Sequence, residues 1–235
     1  MQTGVGTDTI KAYRCAVLRG MVNDSDDSPI KGVTVTILDH DEFGSTTTRV
    51  DGMFDMAVNG GGYLTFDYKK DGYLPVQRQV DAPWEDYVWL PDVVMIPVDS
   101  QVTTIDLSSS TEMQVAQGSV VIDDDGTRTA TLFFPQGIEA SIYNEDGTTT
   151  RSISTLNVRL TEYTVGENGP NNMPGQLPAN SAYTYAVELS ADEATVKVNG
   201  KDVMFDQPVV FYVENFLNFP VGIDVPVGYY DRDKG

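Results

Sequence analysis

An all-β protein built as two tandem antiparallel β-sandwiches, the first of Greek-key type and the second larger, is predicted by three features of this 235-residue sequence. Strand-like segments with period-two hydrophobicity recur about every 8 to 12 residues, separated by Asp-Gly, Asn-Gly and Pro turns. No segment carries a sustained helical period. The chain is 40% hydrophobic, enough to fill real cores without a disulfide framework, which its single cysteine, Cys15, could not supply.

Residues 16–22 read as the first strand and lead through the acidic turn Asp24-Ser25-Asp26-Asp27 to Pro29-Ile30-Lys31-Gly32. Val33, Val35 and Ile37 then alternate with Thr34 and Thr36, and residues 46–50 follow as a further strand. The stretch 49–75, RVDGMFDMAVNGGGYLTFDYKKDGYLP, places Phe54, Met56 and Val58 on one face of an extended chain and Leu64, Phe66 and Tyr68 on one face of the next. Asn59-Gly60-Gly61-Gly62 between them supplies the positive φ angles of a tight reversal, so the stretch is predicted to be a β-hairpin. Residues 88–96 complete a group of about seven short strands, the pattern of a small sandwich.

Val98-Asp99-Ser100 ends that group, and residues 99–112 are polar and without period, so the boundary is placed near residue 98, giving domains 1–98 and 99–235. Beyond it, strands are expected at 119–122, 129–134, 140–143, 156–165, 183–189, 195–198 and 209–213. Ala130, Leu132 and Phe134 share a face, as do Leu156, Val158 and Leu160, and Tyr185, Val187 and Leu189, which gives the second sandwich its own core. The segment 166–182, GENGPNNMPGQLPANSA, is too rich in proline and glycine to be regular. Residues 227–230 read as a strand that ends in the turn Asp231-Arg232-Asp233-Lys234-Gly235 without a return strand, so the chain reads as a segment of something longer, with an unpaired edge.

Thirty-five acidic against fifteen basic residues leave a formal charge of -20, which repels phosphate backbones and anionic head groups and argues against nucleic-acid and membrane-surface partners. No apolar run approaches the roughly 20 residues of a membrane span, and residues 1–13 lack a signal-peptide profile, so the chain reads as soluble without membrane insertion. The single histidine, His40, lies in the acidic turn Asp39-His40-Asp41-Glu42, and no Gly-x-Ser-x-Gly frames a nucleophile, so no catalytic residues are assigned. One histidine and one cysteine cannot complete a zinc shell, and no phosphate-binding glycine loop follows a strand. Calcium is the one ion the composition suits, with Asp123, Asp124 and Asp125 as weak candidates, but they lack the spacing that wraps an ion and are better read as turn residues. Trp84, Tyr87 and Trp89 cluster in PWEDYVWLP. Packing into the first core is the favoured reading, whereas exposed rings would form a contact surface.

The run from Leu18 to Ile96, with LRGMV, PIKGVTVTI, TTTRVDGMFDMAVNGGGYLTFDYKKDGYLPVQRQV and PWEDYVWLPDVVMIP, resembles the carboxypeptidase-regulatory-like (transthyretin-like) sandwich. It is most similar to the version preceding the YD-repeat shell of teneurins and bacterial Rhs-type proteins, called there the fibronectin-plug domain. Gly-x-Val, Pro-x-x-Gly-Val-x-Val and Arg-x-Asp-Gly-x-Phe specify only the fold, whereas DGMFDMAVNGGGYLTFDY and WLPDVVMIP are more specific. The second half, with GSVVIDDDGTRTATLFFPQGIEASI and VGYYDRDKG, resembles the sandwich that follows this module in bacterial Rhs-type proteins. The resemblance implies a non-catalytic structural module of a large secreted or cell-surface protein, docked intramolecularly as a plug on the repeat shell. Trp84, Tyr87 and Trp89 are the expected interaction residues, with Tyr73 and Leu74 as neighbours. A carbohydrate-binding or adhesive module using the same aromatics and the 166–182 loop, or an accessory domain of a secreted hydrolase, stands as the alternative.

Overall fold

The structure, a computed structural model, describes residues 2–108, 112–144, 150–166, 169–177, 183–194 and 200–235. Among them regular structure is all β, apart from single 3-10 turns at Ala12–Arg14, Asp41–Phe43 and Gly169–Asn172. No helix among the described residues is long and apolar enough to cross a membrane. Contacts divide the chain into two compact units: Met1–Pro97 with Gly166–Thr184 and Val225–Gly235, and Val98–Val165 with Tyr185–Asp224.

The first unit contains β1 (Cys15–Asn23), β2 (Thr34–Ile37), β3 (Thr46–Thr47), β4 (Met53–Asn59), β5 (Gly62–Lys69), β6 (Val76–Ala82), β7 (Tyr87–Trp89) and β8 (Val93–Val94). One sheet runs β4-β1-β7, with β8 also on β1, and the other runs β3-β2-β5-β6. Their inner faces meet in one core. Leu18, Val22, Phe54, Met56 and Val58 come from one sheet and Val35, Ile37, Phe66, Tyr68 and Val76 from the other. Phe54 and Tyr68 meet edge to face at 5.7 Å. Burying each such side chain contributes about 1.5–3 kcal/mol.

The stretch expected as a hairpin is an arch. β4 pairs with β1, while β5 pairs with β2 and β6, so the two strands lie in opposite sheets and face each other across the core. Alternation requires only that each strand bury one face, a condition that an arch and a hairpin both meet. The glycines serve close approach. The Gly60 N–H donates to the Arg14 carbonyl at 2.7 Å and the Gly61 N–H to the Ala82 carbonyl at 2.6 Å. A Cβ on Gly60 would collide with the Pro83 carbonyl, and one on Gly61, at φ +101°, with the Trp84 indole. A second difference lies in direction: β7 and β8 run parallel to β1, and Leu90-Pro91-Asp92 divides what reads as one strand.

The second unit holds β9 (Thr103–Asp106), β10 (Gln114–Gln117), β11 (Val121–Asp123), β12 (Gly126–Arg128), β13 (Thr131–Phe134), β14 (Ala140–Asn144), β15 (Thr150–Ile153), β16 (Thr155–Glu162), β17 (Val187–Ala191), β18 (Gly200–Phe205) and β19 (Val210–Tyr212). They form sheets β17-β16-β9, β10-β13-β19 and β15-β14-β18 and the hairpin β11-β12. Ala130, Leu132, Phe134, Leu156, Val158 and Leu160 are buried in one core with Ile105 and Ala116. Leu189, expected on a core face, is 47% exposed on the outer strand β17.

Within the polar stretch after the boundary, Thr103–Asp106 is a strand: β9 pairs with β16, and Ile105 is buried. Its single apolar inward residue makes β9 too short a pattern to register as periodic. Residues 227–230 form no strand, and Val227 and Tyr229 are almost fully exposed. Both 166–184 and 225–235, read as parts of the second sandwich, pack with the first unit. The strand expected at 195–198 lies outside the described residues.

Candidate interaction surface

β7 is the outer strand of its sheet, bonded to β1 along one side. Val17 N–H donates to the Asp86 carbonyl at 3.0 Å and Leu90 N–H to the Arg19 carbonyl at 2.7 Å. These bonds set a period in which Val88 packs on the core and Leu90 is fully buried. Tyr87 and Trp89 therefore stand on the opposite face, 79% and 58% exposed. Trp84, 59% exposed, precedes Glu85, which turns the chain at φ +52°. The Arg14 guanidinium lies 6.0 Å from the Trp84 ring and donates from Nε and Nη2 to the Gly60 carbonyl at 3.2 and 2.9 Å. The indole is thus held against the glycine arch on one side and open on the other.

All three rings are exposed, so the reading that packs them into the first core is corrected. The physical reason is register: with Val88 and Leu90 inward, residues 87 and 89 must face out. Leu74 is only 2% exposed, its N–H donating to the Ile96 carbonyl at 2.9 Å, and it is a core residue rather than part of a surface. Tyr73 is partly buried against the same core.

Two further residues join the surface that the aromatic cluster alone does not reveal. In register across the sheet, Val17 lies between Ala57 and Tyr87, and Arg19 between Asp55 and Trp89. Arg19 and Arg49 both pair with Asp55, the latter at 2.8 Å. The signal that finds them is the alternation of β1, in which Ala16, Leu18 and Val22 are buried and Val17 and Arg19 are not. Such a mixture of Trp, Tyr and Arg is the composition enriched at the centres of protein interfaces.

The other candidates fall away from chemistry. His40 Nδ1 shares a hydrogen bond of 2.8 Å with Glu42 Oε1, and its ring lies against Phe43 at 5.3 Å. That hydrogen bond holds the Glu42 carboxyl below the ordinary range. A cleft of about 290 Å³ beside it is lined by Arg14, His40, Glu42, Tyr63 and the arch glycines. Of the calcium candidates, Asp123 is bound at both oxygens by Arg128, at 2.7 and 2.8 Å, while Asp124 and Asp125 form the two-residue turn of β11-β12. Among the described residues no three His, Cys, Asp or Glu are grouped to hold a metal ion.

Residues 10–95 match the family model described as the Teneurin TTR-like domain. Teneurin-3 of Mus musculus is 37% identical over 93 residues, 40% of this chain and 3% of that protein. Teneurin-1 of Gallus gallus is 34% identical over 104 residues, 44% of this chain and 4% of that protein. The Bacillus anthracis TIE protein overlaps 61% of this chain and 24% of its own at 14% identity, with a TM-score of 0.32, too slight a likeness to argue from. The chain spans 3 to 4% of the length of the curated relatives it matches, and the likeness to them is that of the first sandwich to a teneurin-type transthyretin-like domain.

Proposed function

We propose that the chain is a non-catalytic structural module of a larger extracellular or cell-surface polypeptide, and that its first sandwich docks on a neighbouring part of that polypeptide through Trp84, Tyr87 and Trp89. The observation that carries this reading is the exposure of all three rings around one edge strand, in the part of the chain that matches a teneurin-type domain. Exposed aromatics beside an arginine fit a surface that a partner covers. The finer form, a bacterial Rhs-type protein whose YD-repeat shell is the partner and which the sandwich plugs, rests on DGMFDMAVNGGGYLTFDY and WLPDVVMIP.

The test is association in trans between this chain and the downstream region of its parent polypeptide, measured by calorimetry. Trp89→Ala is expected to weaken association about 30-fold or more, roughly 2 kcal/mol, the range of an interface hot spot. Unchanged association for Trp84→Ala, Tyr87→Ala and Trp89→Ala would overturn the assignment. Specific glycan binding abolished by the same substitutions would replace it with the carbohydrate-binding reading.

A further inference from the structure

The family match ends at residue 95, yet the compact unit that contains it also holds residues 166–184 and 225–235. Both later segments make hydrogen bonds to one strand, β6. β6 is the outer strand of β3-β2-β5-β6, so one of its edges would present unpaired N–H and carbonyl groups, a template for stray strands. Gln77 N–H instead donates to the Pro174 carbonyl at 2.7 Å. The Gln77 side chain donates from Nε2 to Asp67 Oδ1 at 2.6 Å and to the Arg232 carbonyl at 2.9 Å, and its Oε1 accepts from the Tyr230 hydroxyl at 2.8 Å.

Arg78, the next residue, is only 3% exposed. Its guanidinium donates to the carbonyls of Met173 at 2.9 Å, Asn171 at 2.7 Å and Gln77 at 2.7 Å. A buried guanidinium needs acceptors for a fixed fork of donors, and the carbonyls of Asn171 and Met173, at the end of the 3-10 turn Gly169–Asn172, supply two of them. Steric fit adds selectivity: the Tyr230 ring lies against Gly175 where a Cβ would collide with it, and the Tyr183 hydroxyl donates to the Gly175 carbonyl at 3.3 Å. Met173 and Asn172 are themselves buried.

We infer that the outer edge of β6 is a chain-docking site centred on Gln77 and Arg78, and that its occupants are two later segments of the same chain, residues 171–175 and 230–232, which act as a strap. The site recognises main-chain carbonyls and the Tyr230 hydroxyl, and the two occupants fit against each other where Gly175 lies under the Tyr230 ring. The strap covers the Val76–Arg78 end of that edge with residues that lie outside the matched domain.

Gly175→Val and Tyr230→Ala, each in the whole chain, test this, since both alter the strap and leave β6 untouched. Hydrogen exchange at the Gln77 amide is expected to accelerate by about tenfold or more in each, as for a bonded strand edge that becomes open. The Leu18 amide in the opposite sheet should keep its rate, and proteolysis within 225–235 should become faster. Unchanged exchange at Gln77 in both variants would overturn the inference, because the segments would not be holding the edge. Equal acceleration at Gln77 and Leu18 would overturn it as well, because the segments would then be inseparable from the core.

Discussion

Arg128 organises the interior of the second unit. Its side chain is 1% exposed, pairs with Asp123 through two nitrogens, reaches Glu162 at 2.6 Å and lies 4.5 Å from the centre of the Phe216 ring. Removing either carboxylate would leave part of a buried guanidinium unmatched. The hydrogen bond from Arg128 holds the Asp123 carboxyl below the usual carboxylate range. A carboxyl whose folded pKa is depressed contributes stability above its unfolded value and loses it as pH falls through the folded value. Asp123→Asn should therefore lower the melting temperature at about pH 6, and the difference from the unsubstituted chain should shrink as pH falls below about 4. Melting curves across that range check it, and a difference that grows toward acid would reverse the sign. Asp123 was legible as a turn residue, but its partner was not, because Arg128 lies across a hairpin and Glu162 a further 34 residues along the chain.

At the scale of elements, the arch between β4 and β5 separates what a sequence can and cannot specify. The alternation of Phe54, Met56 and Val58 and of Leu64, Phe66 and Tyr68 made both strands and their buried faces legible. Which sheet each joins is decided by pairing with β1 and β2, on which period-two hydrophobicity is silent. The glycines separate in the same way. Gly60→Ala places a methyl group against the Pro83 backbone carbonyl, whereas a Cβ at Gly62 meets nothing within 4 Å. Gly60→Ala is expected to cost about 2 kcal/mol or more and Gly62→Ala less than about 1 kcal/mol, measured by denaturant unfolding. Equal effects would mean that the arch does not depend on the approach of residues 83–84. β7 gives a parallel contrast. Trp89→Ala should change stability by no more than about 0.5 kcal/mol, while Leu90→Ala, at a fully buried position, should cost about 2–5 kcal/mol. A large loss for Trp89→Ala would make the ring structural and remove it from the docking surface.

For the whole molecule, the all-β class and the separate cores followed from side-chain pattern, which is why they were legible. The return of residues 166–184 and 225–235 to the first unit was not, because Asn171, Met173 and Pro174 make their contacts to β6 through main-chain carbonyls, which every residue possesses. Charge acts at this scale as well. Thirty-five acidic residues face fifteen basic ones, so after every cation is paired an excess of -20 remains to repel itself in the compact state. Ion pairs at the surface, such as Arg159 with Asp192 and Arg49 with Asp55, pull the other way and also weaken with salt, but exposed pairs contribute only about 0–1 kcal/mol each. Raising sodium chloride from about 0.01 M to about 1 M shortens the screening length from roughly 30 Å to roughly 3 Å, which removes long-range repulsion before it removes contacts at hydrogen-bond distance. The melting temperature is therefore expected to rise across this range, and to rise equally with potassium chloride, since the effect is one of screening. A fall on adding salt would show that paired charges rather than the acidic excess govern stability.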